Sequence, residues 1–298
     1  VPSILPQDLL DFKIYRLANR IYSTLPTTYR IMDIIILYIL TGILSGLMAG
    51  MLGVGGGLIL IPTLSFIFNH YQLVDANLSM HFCIGTSLAI ISITSLSSVI
   101  AHNQHDAILW PIFWNTMPGI IFGALIFGPC LLRFSSNDLL QKLFSVFCIV
   151  TAMQMLLKKH SSGQQTLPNK RIFTIAGLAI GALSTLLGIA GGSLSATFLN
   201  WYKLPVKKII GTTAAMGLVI SICGLIGTTI SSIAMSTISA KTNGITLGYI
   251  YVIAAVSIAI PSFFTAHLGA KIAHKLPVKA LKKIFAFFLV VVGTKMFF

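Results

Sequence analysis

The 298-residue chain has no glutamate, and its acidic residues number only six. They are Asp8, Asp11, Asp33, Asp75, Asp106 and Asp138, each at the edge of an apolar run or outside one. A carboxylate proton relay deep inside an apolar segment is thereby excluded, and hydrolytic or metal chemistry lacks its usual acids. Charge of either sign is scarce, at 9% of residues against roughly 25% in an ordinary soluble domain. Cys83, Cys130, Cys148 and Cys223 all fall in apolar sequence with no close pairing and no histidine at ligand spacing. They read as small buried hydrophobes, not as a disulfide framework or a metal site. No nucleotide-binding loop is present either: the glycine cluster ending at Gly57 is followed by Leu58-Ile59, where a phosphate loop needs Lys-Ser/Thr. No cofactor is implied.

Hydrophobic residues make up 56% of the chain and the mean hydropathy is +0.92, the composition of an all-α polytopic membrane protein. The net charge of +14 comes from basic residues placed between apolar segments. Lipid headgroups are the partner that this placement fits, not nucleic acid. Apolar runs at 33–69, 82–101, 107–132, 139–157, 172–200, 208–235, 245–270 and 281–297 predict about eight transmembrane helices by length. Residues 8–25 have the pattern of a basic amphipathic helix lying on a membrane surface. Lys13, Arg16, Arg20 and Arg30 favour a cytoplasmic N-terminus, whereas Lys271, Lys275, Lys279, Lys282 and Lys283 then fall outside in an eight-span arrangement. Trp110, Trp114, Trp201 and Tyr202 sit near span ends as an aromatic belt.

The most informative stretch is 42–62, GILSGLMAGMLGVGGGLILIP. Gly42, Gly46 and Gly50 share one helix face and allow a neighbouring backbone to approach. Gly53, Gly55, Gly56 and Gly57 then crowd together ahead of Pro62, and glycine disfavours helix interiors, so the helix breaks or turns here. The stretch 46–57 recurs at 181–192 at a constant offset, pairing Gly53 with Gly188 and Gly56-Gly57 with Gly191-Gly192. Gly85-Thr86-Ser87 matches Gly211-Thr212-Thr213, and LLQKLFSVF from Leu139 resembles ALKKIFAFF from Ala280. The chain therefore divides into a basic N-terminal segment (1–32), a first transmembrane repeat (33–157), a polar linker (158–171) and a second repeat (172–298). Duplicated halves around broken helices are how many secondary transporters are built; whether the halves are parallel or inverted turns on whether each break is a discontinuous span or a short hairpin.

These glycine clusters and the Gly-Thr-Ser and Gly-Thr-Thr starts resemble the TauE/SafE sulfite-exporter family, whose pattern covers most of the chain after about residue 33. The resemblance implies an integral protein of a bacterial-type plasma (inner) membrane that moves sulfite, sulfonates or related organosulfur anions. Two departures stand out: Ala190 replaces the middle glycine of the second cluster, and no proline follows Gly192 at the position equivalent to Pro62, so the second break is expected to be the milder.

A helix broken at these glycines presents free N–H groups and a positive dipole end to an anion without needing a buried Lys or Arg. The candidate substrate site is Gly53, Gly55, Gly56, Gly57, Gly188, Gly191 and Gly192, with hydroxyls from Thr86, Ser87, Thr212, Thr213 and Ser193 beside Gly85 and Gly211. The plainer alternatives are helix packing for the glycines and bonds back to the helix backbone for the hydroxyls. His81 and His267 are candidates for proton coupling. His102 and His105 beside Asp106 read as a polar loop. The reading is a secondary transporter of small anions by alternating access, driven by an ion gradient of unspecified ion; the competing classes are an anion channel and a non-transporting assembly subunit.

Overall fold

A computed structural model describes residues 27–53, 55–157, 169–233, 244–273 and 278–297. The surface helix expected at 8–25 and most of the linker lie outside the described residues. The helices are α1 (Thr27–Leu52), α2 (Gly57–His70), α3 (Ser79–Asn103), α4 (Trp110–Phe122), α5 (Gly128–Phe134) and α6 (Asn137–Leu157). After the linker come α7 (Lys170–Leu186), α8 (Gly192–Asn200), α9 (Val206–Ile233), α10 (Val252–Ala273) and α11 (Val278–Phe297). A π-helical turn, Gly123–Phe127, joins α4 to α5, and a short hairpin of β1 (Thr246–Leu247) and β2 (Ile250–Tyr251) precedes α10. Two sequence boundaries shift: α1 starts at Thr27, ahead of 33, and α7 takes in Lys170 and Arg171 from the expected linker.

Among the described residues six helical stretches are long and apolar enough to cross a membrane: Met32–Leu52, Ala76–Asn103, Trp110–Phe134, Asn137–Leu156, Val206–Ile233 and Val252–Ile272. Two of the eight runs read from sequence are each divided between two helices. The run 33–69 divides into α1 and α2, and 172–200 into α7 and α8. At 17 residues, α7 is about 26 Å long, short of a ~30 Å hydrocarbon core. The sequence of α11 carries Lys279, Lys282, Lys283 and Lys295, more charge than an ordinary span holds.

Contacts between helix ends fix the direction of each helix. At the near end, where α1 begins, the Met80 N–H donates to Asn137 Oδ1 at 2.8 Å, His81 Nε2 lies 3.2 Å from the Leu132 carbonyl, and Gln141 donates to the Met296 carbonyl at 2.8 Å. At the far end, His102 Nε2 is 3.1 Å from the Gly50 carbonyl, Leu109 N–H donates to Thr212 Oγ1 at 2.9 Å, and Lys208 donates to the Asp106 carbonyl. Helices α3, α6 and α10 therefore run near to far; α4–α5, α9 and α11 run back. The start of α1 and Lys271 lie at opposite ends.

Gly42, Gly46 and Gly50 do what their spacing predicts. A methyl on Gly42 would sit 2.5 Å from the Ile258 carbonyl, and Gly46 and Gly50 are still closer to the backbone at Ser262 and Ala266. Contacts advancing in step along both helices make α1 and α10 parallel. In the same way Gly177 and Gly181 of α7 lie against Thr116 and Ile120 of α4. The first helix of each half is thus packed on a helix of the other half.

Candidate functional site

Both glycine clusters interrupt the helix. In the first, Gly53, Gly55 and Gly56 hold φ of +63°, +76° and +56°, left-handed values that cost a side chain-bearing residue energy and glycine little. Gly56 then caps α2. In the second, Gly188 and Gly191 hold +61° and +66°, and Gly191 caps α8. The second break is as sharp as the first, against expectation: the left-handed glycine cap makes the turn in both. Pro62 lies inside α2, beyond its first turn, so it removes one helical bond, the one that would reach the Leu58 carbonyl.

At each break the chain reverses. A methyl on Gly56 would be 3.1 Å from the carbonyl of Ser45, two turns back along α1, and α2 returns to put Phe68 5.4 Å from the near-end Tyr251 ring. Likewise α8 returns to the far end, with Phe198 and Tyr202 ringing Phe173 at 5.8 and 6.2 Å. Each break is therefore the tip of a helical hairpin.

The two tips meet at the buried centre. Gly55 abuts the methyl of Ala190 so closely that a methyl on Gly55 would overlap it, and one on Gly57 would lie 2.9 Å from the Gly188 carbonyl. Ala190, a departure in the sequence, fills the space left by the glycine opposite. The hydroxyls that follow each break tie the tips across the halves. Ser87 Oγ donates to the Gly188 carbonyl at 2.8 Å; Thr213 Oγ1 donates to the Gly53 carbonyl at 3.3 Å and to Ile210 at 3.0 Å. Thr86 Oγ1 accepts from Tyr251 N–H at 3.0 Å, as Thr212 Oγ1 accepts from Leu109 N–H at 2.9 Å. Gly85 and Gly211 admit the backbones of Tyr249 and Ala107. These hydroxyls are thus engaged by backbone, not gathered around an open pocket.

Among the described residues the buried polar side chains are serine, threonine, histidine and tyrosine, with no Lys, Arg or Asp. Ser184 and Thr185 at the end of α7, and Ser193 and Ser195 at the start of α8, have buried hydroxyls without a hydrogen-bond partner among the described residues. Ser184 Oγ lies 2.6 Å from where a Gly191 methyl would be, which puts it at the mouth of α8. The first bond of α8 runs from Ser195 N–H to the Gly191 carbonyl at 2.8 Å, and the amides of Gly192, Ser193 and Leu194 ahead of it are the unspent donors of a helix start. Among the candidates, only Ser193 was visible in the sequence. Ser184, Thr185 and Ser195 were missed, although the repeat carries a signal: at the same offset (46 to 181) their counterparts are Ala49, Gly50 and Leu60, with Leu58 opposite Ser193. These four hydroxyls have no polar counterparts at the first break.

The two histidines lie elsewhere. His81 lines a near-end cavity of about 300 Å³. His267 lines a second, about 370 Å³, between Ser97, Ile100, Phe263, Phe264 and Leu268, on a flank where Phe264 is 65% exposed. Neither cavity is lined by a glycine of either break. Among the described residues no group of acids, cysteines and histidines is placed to hold a metal ion.

The family described as "Sulfite exporter TauE/SafE" matches residues 38–296. A probable membrane transporter protein of Haemophilus influenzae is 34% identical over 266 residues, 88% of this chain and 98% of the relative. One from Methanocaldococcus jannaschii is 31% identical over 264 residues, covering 86% and 93%. A third, from Bacillus subtilis, is 25% identical over 291 residues, covering 90% and 98%. No solved structure matches the chain. With its apolar spanning helices and this match over most of its length, the chain is a multi-pass integral membrane protein, not an enzyme, and belongs to the TauE/SafE family of membrane transporters.

Proposed function

We propose that the protein is a secondary transporter of small oxyanions, sulfite or sulfonates or related organosulfur anions, working by alternating access between two inverted repeats. The repeats are 33–157 and 172–298, each opening with a re-entrant hairpin. Inversion is supported by helix direction: α1 runs near to far and its counterpart α7 far to near. The reciprocal bonds Ser87–Gly188 and Thr213–Gly53, and the crossed pairs α1–α10 and α4–α7, are what a two-fold relation in the membrane plane produces.

The single observation that carries the anion reading is the start of α8. Three amides and a dipole end worth about +0.5 charge lie beside the unpartnered hydroxyl of Ser184, with Thr185, Ser193 and Ser195 unpartnered on the same two helix ends, and among the described residues no cation or carboxylate is buried. An unpaired buried hydroxyl costs about 1–3 kcal/mol, and an oxyanion with several acceptor oxygens relieves that cost. Gly53–Gly57 then serves as the opposing wall, apolar at Leu58 and Leu60, and the break residues are buried from both ends in this conformation.

Uptake of radiolabelled sulfite, methanesulfonate and thiosulfate into proteoliposomes tests the proposal. Saturable flux with counterflow exchange supports a transporter; flux linear in concentration without counterflow makes it a channel, and no flux under any gradient removes the proposal.

A further inference from the structure

The near-end cavity lies between the start of α3, the turn from α5 to α6 and the β hairpin, and its walls include Asn77, His81, Arg133, Asn137, Asp138 and Tyr249. His81 is only 5% exposed. Its Nε2 faces the Leu132 carbonyl at 3.2 Å, and a carbonyl only accepts, so Nε2 carries the proton. Nδ1 is left as a buried lone pair with no partner. Asn137 spends its Oδ1 on the Met80 amide and keeps its NH₂ for donation. Arg133 lines the same space from the exposed side, and its charge reaches the Tyr249 phenol, partly offsetting the rise that burial imposes there.

The cavity sits directly outside the polar break. From His81 one face of α3 continues through Ile84, whose Cα is against Gly188, to Leu88, whose methyl lies beside Gly224 and hence beside Thr185. Seven residues of helix separate His81 from Leu88, a rise of about 10 Å. Tyr249 closes the gap: it is 3% exposed, its ring lies 5.2 Å from that of His81 and 6.0 Å from that of Phe82, and its backbone presses on Gly85.

We propose that this cavity is a second, outer oxyanion site, in which Arg133 supplies the charge, the Asn137 amide and a protonated His81 supply donors, and the Tyr249 hairpin separates the captured anion from the break. Its role as an antechamber rests on the transport reading; its occupancy does not. Neutral His81 offers the anion only a lone pair at Nδ1, so binding takes up a proton there and tightens as pH falls. The charged and titratable groups facing His81 are Arg133 from α5, Asp138 from α6 and the Tyr249 phenol. The two charges oppose each other, and the incoming anion tips the balance toward imidazolium.

The probe is radiolabelled methanesulfonate, whose charge is constant from pH 5 to 8, bound to the solubilised full chain and to a Ser184→Ala/Ser195→Ala variant that weakens the break. Both are expected to bind about fivefold more tightly at pH 6 than at pH 8. Arg133→Gln should weaken binding about five- to tenfold, Arg133→Lys should recover most of it, and His81→Gln should bind with no pH dependence. Equal binding by wild type, Arg133→Gln and His81→Gln at both pH values overturns the site. Arg133-dependent binding without any sulfur-anion flux sustains this site and defeats the transport reading, whereas normal flux with an unchanged KM in Arg133→Gln does the reverse.

Discussion

The hydroxyl of Ser87 donates to the carbonyl of Gly188 at 2.8 Å, joining the helix after one break to the tip of the other. Thr213 and Gly53 make the same link in the opposite sense, at 3.3 Å. Thr213 also bonds its own helix at Ile210, so the two tethers are unequal. Ser87→Ala leaves a buried carbonyl unsatisfied, a loss of about 1–3 kcal/mol, and Thr213→Val is expected to lose less. Thermal unfolding of the two purified variants checks the order; an equal or reversed order contradicts it.

Gly55 and Ala190 are matched as space and filler. Gly55→Ala meets both a φ of +76° and the Ala190 methyl, so it should sharply lower the amount of folded protein. Adding Ala190→Gly removes the overlap and leaves the backbone strain, about 1–2 kcal/mol, so rescue should be partial. A double-mutant cycle on thermal stability reads the coupling between the two positions. Additive losses would mean that the tips do not touch.

The hydroxyls at the start of α8 give a prediction of opposed signs. Ser184→Ala and Ser195→Ala remove unpartnered buried hydroxyls, so the ligand-free variants should be at least as stable as wild type. Their KM for sulfite should rise about threefold to tenfold, the effect of a lost donor to an anion. Lower stability with unchanged KM would make these hydroxyls ordinary packing.

Helix direction predicts labelling. Gln104 follows α3 and Ile245 precedes α10, equivalent connections in the two halves, and both residues are exposed. With the native cysteines replaced, Gln104→Cys and Ile245→Cys should react with an impermeant maleimide from opposite sides of the membrane. Labelling from one side would make the halves parallel.

Much of this architecture is legible in the residues. The four-residue glycine spacing at Gly42, Gly46 and Gly50 identifies a tight helix contact, and the clusters at 53–57 and 188–192 identify the breaks, because only glycine takes the left-handed turns cheaply. The number of spans is not legible, since hydropathy cannot distinguish a hairpin that turns back inside the membrane from a continuous helix. Reversal depends on where Gly56 packs, against Ser45, which is a tertiary fact. The hydroxyls of Thr86 and Thr212 carry no sign in sequence of whether they face a solute or accept from Tyr251 and Leu109. The polar cluster was readable in principle, by asking where the two copies differ: Ser184, Thr185, Ser193 and Ser195 replace Ala49, Gly50, Leu58 and Leu60.

Selenite, a heavy analogue of sulfite, locates the anion directly through its anomalous scattering in crystals of the soaked protein. The expected peak lies about 3 Å from the amides of Gly192 and Ser193 and from Ser184 Oγ, between the two re-entrant tips. Saturating selenite that leaves this position empty would contradict the anion site at the break.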